Sequence, residues 1–81
     1  MNIRFYDFTV LIEQEEDGKG YYAYSPDLPG CYSNGLTIEE TRSNVREAIQ
    51  LHIETLLENQ ETVPQSGKFV IAELLSIGIP A

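Results

Sequence analysis

The sequence predicts a single small α+β domain with the element order β-β-β-α-β. One helix is expected to pack on one face of a mostly antiparallel sheet. Three observations predict this fold: an alternating N-terminal stretch that ends in a turn, a bend rich in proline and glycine, and a capped helix with one apolar stripe. The 81 residues form one domain over 1–81, with a core over 3–76. A chain this short buries only about 60% of its unfolded surface, so its core should be thin.

The first two strands are predicted to form a hairpin. Over residues 3–14, Phe8, Val10 and Ile12 alternate with residues that should point to the opposite side. Asp17-Gly18 follows in an acidic stretch, and Asp-Gly is a common hairpin turn. The aromatic stretch 20–25 is the returning strand. Its side chains should alternate, with Tyr22 and Tyr24 together on one face.

A bend and a short third strand follow the hairpin. Pro26 and Pro29 have no backbone N–H to donate to a neighbouring strand, so residues 26–30 are predicted to form a rigid bend. Residues 31–33 resume as a strand. Asn34-Gly35 is predicted to be a turn, because both residue types tolerate positive φ.

The helix is predicted to begin at Thr37 and to end near Asn59. Thr37 and Glu40 match a capping box, in which the threonine hydroxyl accepts a hydrogen bond from a backbone amide of the first turn. Spacings of three and four place the following residues on one apolar stripe: Ile38, Thr41, Val45, Ala48, Ile49, His52, Ile53 and Leu56.

A last strand is predicted over residues 68–76, reached from the helix by a right-handed crossover. One helix can cover only one face of the sheet. The opposite face would then have no cover from its own chain, and tyrosine or leucine side chains on that face would make it a candidate interface.

The charge balance bears on the kind of partner. Thirteen Asp and Glu against five Lys and Arg give a net charge of -8. Nucleic acid is a polyanion whose binding normally requires a basic patch, so direct nucleic-acid binding is disfavoured. A basic protein partner is electrostatically favoured. Acidity that serves solubility alone is an equally good reading of the charge by itself.

The sequence also predicts a compartment. Cys31 is the only cysteine, so no intramolecular disulfide can form and a reducing compartment is expected. The apolar run 10–12 is too short to cross a membrane, and the N-terminus lacks the pattern of a signal peptide. We therefore expect a cytoplasmic protein without membrane contact.

Catalytic and metal-binding constellations are not apparent in the sequence. His52 lies in the helix stripe, where a core or interface role is expected. One histidine and one distant cysteine do not make a zinc site, so no metal or cofactor is expected. Asp7, Asp17 and Asp27 are spread over three different segments. The chain is predicted not to be an enzyme, and a residual metal-dependent nuclease that uses Asp7 is kept as an alternative.

The proline bend is the segment with the best case for binding. It can be a tight link between strands, a rigid loop that presents Leu28 to a partner, or both. Tyrosines flank it, and tyrosine is enriched at protein interfaces. The predicted partner-binding residues are Tyr24, Pro26, Asp27, Leu28, Pro29 and Tyr32.

Two motifs at fixed spacing resemble the HicB-like antitoxin family. The first is a strand that ends in Pro-x-Leu-Pro-Gly-Cys, and the second is Gly-x-Thr-x-Glu-Glu at the start of a helix. The resemblance covers residues 5–75. The matching residues are Pro26, Leu28, Pro29, Gly30, Cys31, Gly35, Thr37, Glu39 and Glu40.

The resemblance implies a partial ribonuclease H-like fold that has lost its nuclease carboxylates. It also implies an antitoxin that covers a small basic toxin of the HicA type and keeps it from messenger RNA. Family members tend to form dimers or larger homo-oligomers. A solitary homo-oligomeric module without a toxin is the alternative from the same family.

Many members carry a C-terminal DNA-binding domain with a helix-turn-helix or ribbon-helix-helix. Too few residues follow the last predicted strand for such a module. No separate DNA-binding domain is therefore expected.

Overall fold

A computed structural model describes residues 2–64 and 73–80 of the chain. Within these ranges the elements are β1 (Leu11–Gln14), β2 (Tyr21–Tyr24), β3 (Tyr32–Gly35) and α1 (Ile38–Glu58). The strands form an antiparallel sheet in the order β1-β2-β3, and α1 packs on one face of it. The predicted α+β class is confirmed, with the described elements in the order β-β-β-α.

The hairpin between β1 and β2 closes at the predicted acidic turn. The backbone N–H of Glu15 donates to the carbonyl of Gly20 at 2.8 Å, and the N–H of Lys19 donates to the carboxylate of Asp17 at 2.9 Å. Gly18 has a φ of 72°, which glycine adopts without the steric cost that a side chain would add.

The first strand is shorter than predicted, since only Leu11–Gln14 of residues 3–14 pair with β2. The reason lies in β2, whose pairing ends at Tyr24. Pro26 follows closely and has no N–H with which to extend the ladder. The chain before β1 instead contacts the bend, where the N–H of Thr9 donates to the carboxylate of Asp27 at 2.8 Å.

The turn predicted at Asn34-Gly35 is wrong, because both residues belong to β3 and pair with Tyr22 and Tyr21. Gly35 serves a close approach instead. A Cβ at this position would lie 2.8 Å from the backbone nitrogen of Thr41, which is shorter than real contacts allow. The missing side chain therefore lets the end of β3 lie directly against the start of α1.

The helix has the predicted ends. The Thr37 hydroxyl accepts a hydrogen bond from the N–H of Glu40 at 3.0 Å, and Asn59 is the C-cap. Thr41, Val45 and Ile49 are the buried residues of the predicted stripe. Ile38, which was predicted to lie on that stripe, is nearly half exposed because the stripe meets the sheet only after the first turn.

The core lies between α1, the face of the sheet that α1 covers, and the bend. Around it pack the partly buried residues Ala48 and Ile53 from α1 and a row from the N-terminal segment. Burying such side chains is the main source of stability in a domain of this size. The buried core residues are Ala23, Leu28, Cys31, Val45 and Ile49.

The predicted last strand falls largely on residues 68–72, which lie outside the described residues. Residues 73–76 belong to neither a helix nor a strand. The likeness to a partial ribonuclease H fold stays a prediction.

Replacing Thr37 by alanine should lower the free energy of unfolding by about 1 kcal/mol, because the amide of Glu40 loses its cap. Thr37→Ser keeps the hydroxyl oxygen and is the control, with a stability close to that of the wild type. Urea unfolding followed by circular dichroism measures both variants. An equal loss of unfolding free energy in Thr37→Ala and Thr37→Ser would contradict the assignment of Thr37 as the helix cap.

Candidate functional site

The sheet face turned away from α1 carries most of the tyrosines of the sheet. Residues directly opposite each other on antiparallel strands point to the same face. The register places Leu11 beside Tyr24 and Tyr24 beside Tyr32, and it places Glu13 beside Tyr22. We call this surface the tyrosine face, and its members are Leu11, Glu13, Tyr22, Tyr24, Tyr32 and Asn34.

The alternation of β2 sets the direction of this face. Ala23 is fully buried beneath the helix, with Ile12 opposite it on β1. Tyr22 and Tyr24 therefore point to the other side. That they share one face is what the sequence predicted, and the structure adds that this face is turned away from α1. Among the described residues α1 is the only helix, and it lies on the Ala23 side. The tyrosine face has no helix over it within that part of the chain.

The aromatic rings form an ordered platform. The rings of Tyr22 and Tyr24 are stacked, with centroids 6.1 Å apart and an interplanar angle of 17°. Tyr32 on the neighbouring strand is 73% exposed. Tyrosine offers a large contact area with few torsions to fix, so such a platform suits protein recognition.

Glu13 places a carboxylate among these hydroxyl groups. Partial burial raises the pKa of Tyr22 above its ordinary value, and the charge and hydrogen bonding of Glu13 raise it further. For Tyr24 the hydrogen bond to Glu13 is the largest cause of a raised pKa. Both hydroxyls are therefore protonated at neutral pH and can donate to the Glu13 carboxylate. The face combines apolar rings with one negative charge.

The predicted binding residues fall into separate groups. Tyr24 and Tyr32 lie on the tyrosine face, while Pro26 and Pro29 are exposed on the loop between β2 and β3. This loop is held by the N–H of Cys31, which donates to the carbonyl of Leu28 at 3.0 Å.

Two of the predicted residues hold the structure together. Leu28 is only 1% exposed, so the expectation that the loop presents this side chain to a partner is wrong for the isolated chain. Its side chain fills the core beneath the bend. Asp27 is half-buried, and its carboxylate anchors the N-terminal segment through Thr9.

The predicted binding residues leave out four members of the tyrosine face: Leu11, Glu13, Tyr22 and Asn34. Their places follow from the pairing register, which the sequence leaves open until the ends of the strands are known. The sequence signal that could have found them is the period-two alternation of the strands, which places Glu13 and Tyr22 on the outward face.

The acidic residues of α1 lie elsewhere. Glu47, Glu54 and Glu58 are exposed on the helix, which packs on the opposite side of the sheet. The Nε2 of Gln50 donates to Glu54 at 3.2 Å. These carboxylates are therefore not part of the tyrosine face.

The cysteine thiol has surroundings typical of a structural residue and not of a reactive one. Cys31 is buried, and burial raises the pKa of its thiol, which makes it a poor nucleophile. Residues 2–64 and 73–80 contain no group of three or more His, Cys, Asp or Glu side chains placed to hold a metal ion. In the same part of the chain, no helix has the length and apolar character needed to span a membrane.

The chain is similar in sequence to one protein family and to individual known proteins. A family model described as HicB_like antitoxin of bacterial toxin-antitoxin system matches residues 8–75. UPF0150 protein ssr1765 of Synechocystis sp. is 46% identical over 67 residues, which cover 83% of this chain and 84% of that protein. UPF0150 protein Ta0767 of Thermoplasma acidophilum is 42% identical over 61 residues, covering 74% of this chain and 86% of the relative.

A phage protein extends the comparison. An uncharacterized 14.9 kDa protein of Haemophilus phage HP1 is 44% identical over 60 residues, which cover 74% of this chain and 44% of the phage protein. No solved structure matches the chain significantly.

Replacing Glu13 by glutamine should lower the pKa of Tyr22 and Tyr24, because the carboxylate that opposes their ionisation is gone. In the wild type the folded state holds both protons more tightly than the unfolded state, whose tyrosine pKa is 10.0. Their contribution to stability is therefore present below pH 10 and is lost as the pH rises through the folded-state pKa.

The measurement is an alkaline titration followed by tyrosinate absorbance. Glu13→Gln should titrate earlier than the wild type. Glu58→Gln, which removes an equal charge from the far end of α1, should leave the curve unchanged. Superimposable curves for all three proteins would rule out the coupling between Glu13 and the tyrosines.

Proposed function

The chain belongs to the HicB_like antitoxin family of bacterial toxin–antitoxin systems, and from that membership we propose that it neutralises a HicA-type toxin that cleaves messenger RNA. Membership implies a toxin partner in general and suggests a non-enzymatic role. The proposed mechanism is occlusion: the antitoxin covers the surface through which the toxin reaches RNA, and it forms or breaks no bond itself.

The tyrosine face is the proposed contact surface, and its open aromatic platform is the observation that carries the proposal. Tyr24 and Tyr32 lie side by side on it, and Tyr32 is largely exposed. Aromatic residues at the centre of an interface supply much of the binding energy. Arginine or lysine of a basic partner can lie over a tyrosine ring and pair with Glu13 at the same time.

The overall charge supports a basic partner. The net charge of -8 creates a negative potential that speeds the encounter with a positively charged protein. An RNA-binding toxin needs cations on the surface that meets RNA. An acidic antitoxin is attracted to the same cationic surface and therefore competes with RNA for it, without contacting nucleic acid itself.

The proline loop is proposed to form one edge of the contact. Pro26 and Pro29 are exposed, and the loop beneath them is fixed by the buried Leu28 and by the bond from Thr9 to Asp27. A loop that is already ordered loses little entropy when a partner binds.

Copies of the chain are further proposed to associate with one another in the cytoplasm, where messenger RNA is found. The exposed large apolar side chains outside the tyrosine face support this proposal, because monomers rarely leave such surface open. If no toxin is found, a solitary homo-oligomeric module of the same family is the alternative.

The function is tested by capturing the tagged protein from a lysate of its own source cells. We expect a small basic protein in stoichiometric amount, whose RNA cleavage in a purified assay stops when this chain is added back. Recovery of the chain as an oligomer of itself, with no second protein, would contradict the toxin proposal and favour the solitary module.

Replacing Tyr32 by alanine should weaken binding to the captured toxin by roughly tenfold or more, the loss typical of an interface hot spot. Because Tyr32 is 73% exposed, its loss should leave the fold intact. Calorimetry measures the affinity, and circular dichroism checks the fold.

Leu51→Ala is the matched control, since it removes a comparably exposed apolar side chain (58%) from α1. Its affinity should equal that of the wild type. Weaker binding by Leu51→Ala together with normal binding by Tyr32→Ala would contradict the proposed contact on the sheet and would indicate a contact on α1.

A further inference from the structure

A second apolar surface lies on the helix side of the sheet. An open groove with a volume of ≈ 910 Å³ runs between the N-terminal segment and α1. Its volume is at the upper end of the range of about 300–1,000 Å³ for ligand pockets, but it is open along its length. Its apolar lining includes Phe8, Val10, Ile12, Val45, Ile49 and Ile53.

The position of the helix explains the groove. α1 lies mainly against β3 and β2 and contacts β1 only slightly. Phe8, Val10 and Ile12 therefore pack against the core from one side and stay partly uncovered on the other. In the described sheet β1 is also an edge strand, since it pairs with β2 alone. An edge strand beside an apolar groove is a favourable place for an extended segment to bind.

The charges around the groove differ from those of the whole chain. Arg4, Arg42 and Arg46 line it, which are three of the five basic residues in the sequence. Asp7 and Glu54 are the acidic residues of the lining. A locally positive rim on a chain of net charge -8 favours an occupant that is apolar and carries an acidic residue.

Residues 73–80 of the chain have this chemistry. The segment contains Glu73 as its only charged residue. Leu74 is 100% exposed, and its neighbours along the segment are nearly as open: Leu75 72%, Ile77 77% and Ile79 81%. The segment belongs to no helix or strand, so its backbone is not paired within the sheet. It exposes apolar surface that water disfavours.

We propose that the groove of each copy holds residues 73–79 of a second copy. In the single chain the segment lies outside its own groove, because none of residues 73–80 lines it. A second copy supplies the missing occupant, and reciprocal exchange gives a closed two-fold dimer. Glu73 then approaches the arginine rim while the leucines and isoleucines cover the apolar lining. This inference rests on the proposed self-association and adds its surface and its occupant.

The test is a disulfide between two single variants, each carrying one new cysteine. Gln50→Cys places a thiol in the groove lining, and Ile77→Cys places one in the segment. When the two variants are mixed and oxidised, a disulfide between 50 and 77 can form only between copies. Mass spectrometry of the peptides identifies it and separates it from products of the buried Cys31. We expect this disulfide to be the main product.

Leu51→Cys mixed with Ile77→Cys is the control, since Leu51 adjoins Gln50 in sequence but does not line the groove. It should give little of the corresponding product. Equal yields with either helix position would overturn the proposal. So would a variant carrying both new cysteines that closes its disulfide within one chain at high dilution, while the mixed variants give none.

Sedimentation separates this proposal from the others. Ile77→Asp should raise the dissociation constant of self-association by roughly tenfold or more, and Leu51→Asp should not. Toxin capture should survive Ile77→Asp, because the tyrosine face lies on the other side of the sheet. A wild type that is monomeric at every concentration would overturn both self-association and the exchange. An oligomer that is unaffected by Ile77→Asp would overturn the exchange alone.

Discussion

The packing of one helix on one face of a three-stranded sheet is the constraint from which the rest of the structure follows. Val45 and Ile49 of α1 meet Ala23 of β2, and Leu28 closes the core from the bend. A sheet is stable when its apolar face is covered by another layer. In the described part of the chain the only second layer is α1, which is too narrow to cover the sheet beyond β2 and β3.

Within residues 2–64 and 73–80, two surfaces remain open for different reasons. The tyrosine face is open because it lies on the far side of the sheet from α1. The groove is open because α1 is displaced from β1. Since the two surfaces lie on opposite sides of the sheet, the proposed partner and the proposed second copy would not compete for the same surface. A small core that stays marginal alone gains stability from either association.

The sequence predicted the elements whose signals are local. The hairpin turn, the Thr37 cap and the shared face of Tyr22 and Tyr24 all depend on near neighbours, and all are present. The HicB-like resemblance is confirmed because its motifs combine specific residues at fixed spacing.

The errors concern long-range contacts. The residue at which β1 begins depends on where β2 stops. The role of Gly35 depends on how closely β3 approaches Thr41. Leu28 illustrates the same limit, because a leucine in a proline loop can be either an exposed anchor or a core residue. Only the fold, which turns it inward, decides between them. Of the six predicted binding residues, only Tyr24 and Tyr32 lie on the tyrosine face, and the binding role of all six stays a prediction.

We propose above all that a basic partner binds the tyrosine face of the sheet. Nuclear magnetic resonance of the isotope-labelled chain, titrated with the unlabelled captured toxin, tests this claim residue by residue. We expect the largest changes in amide shift on β2 and β3, at Tyr24 and Tyr32 above all, with the exposed side of α1 around Leu51 unchanged. Changes confined to α1, with β2 and β3 undisturbed, would contradict it.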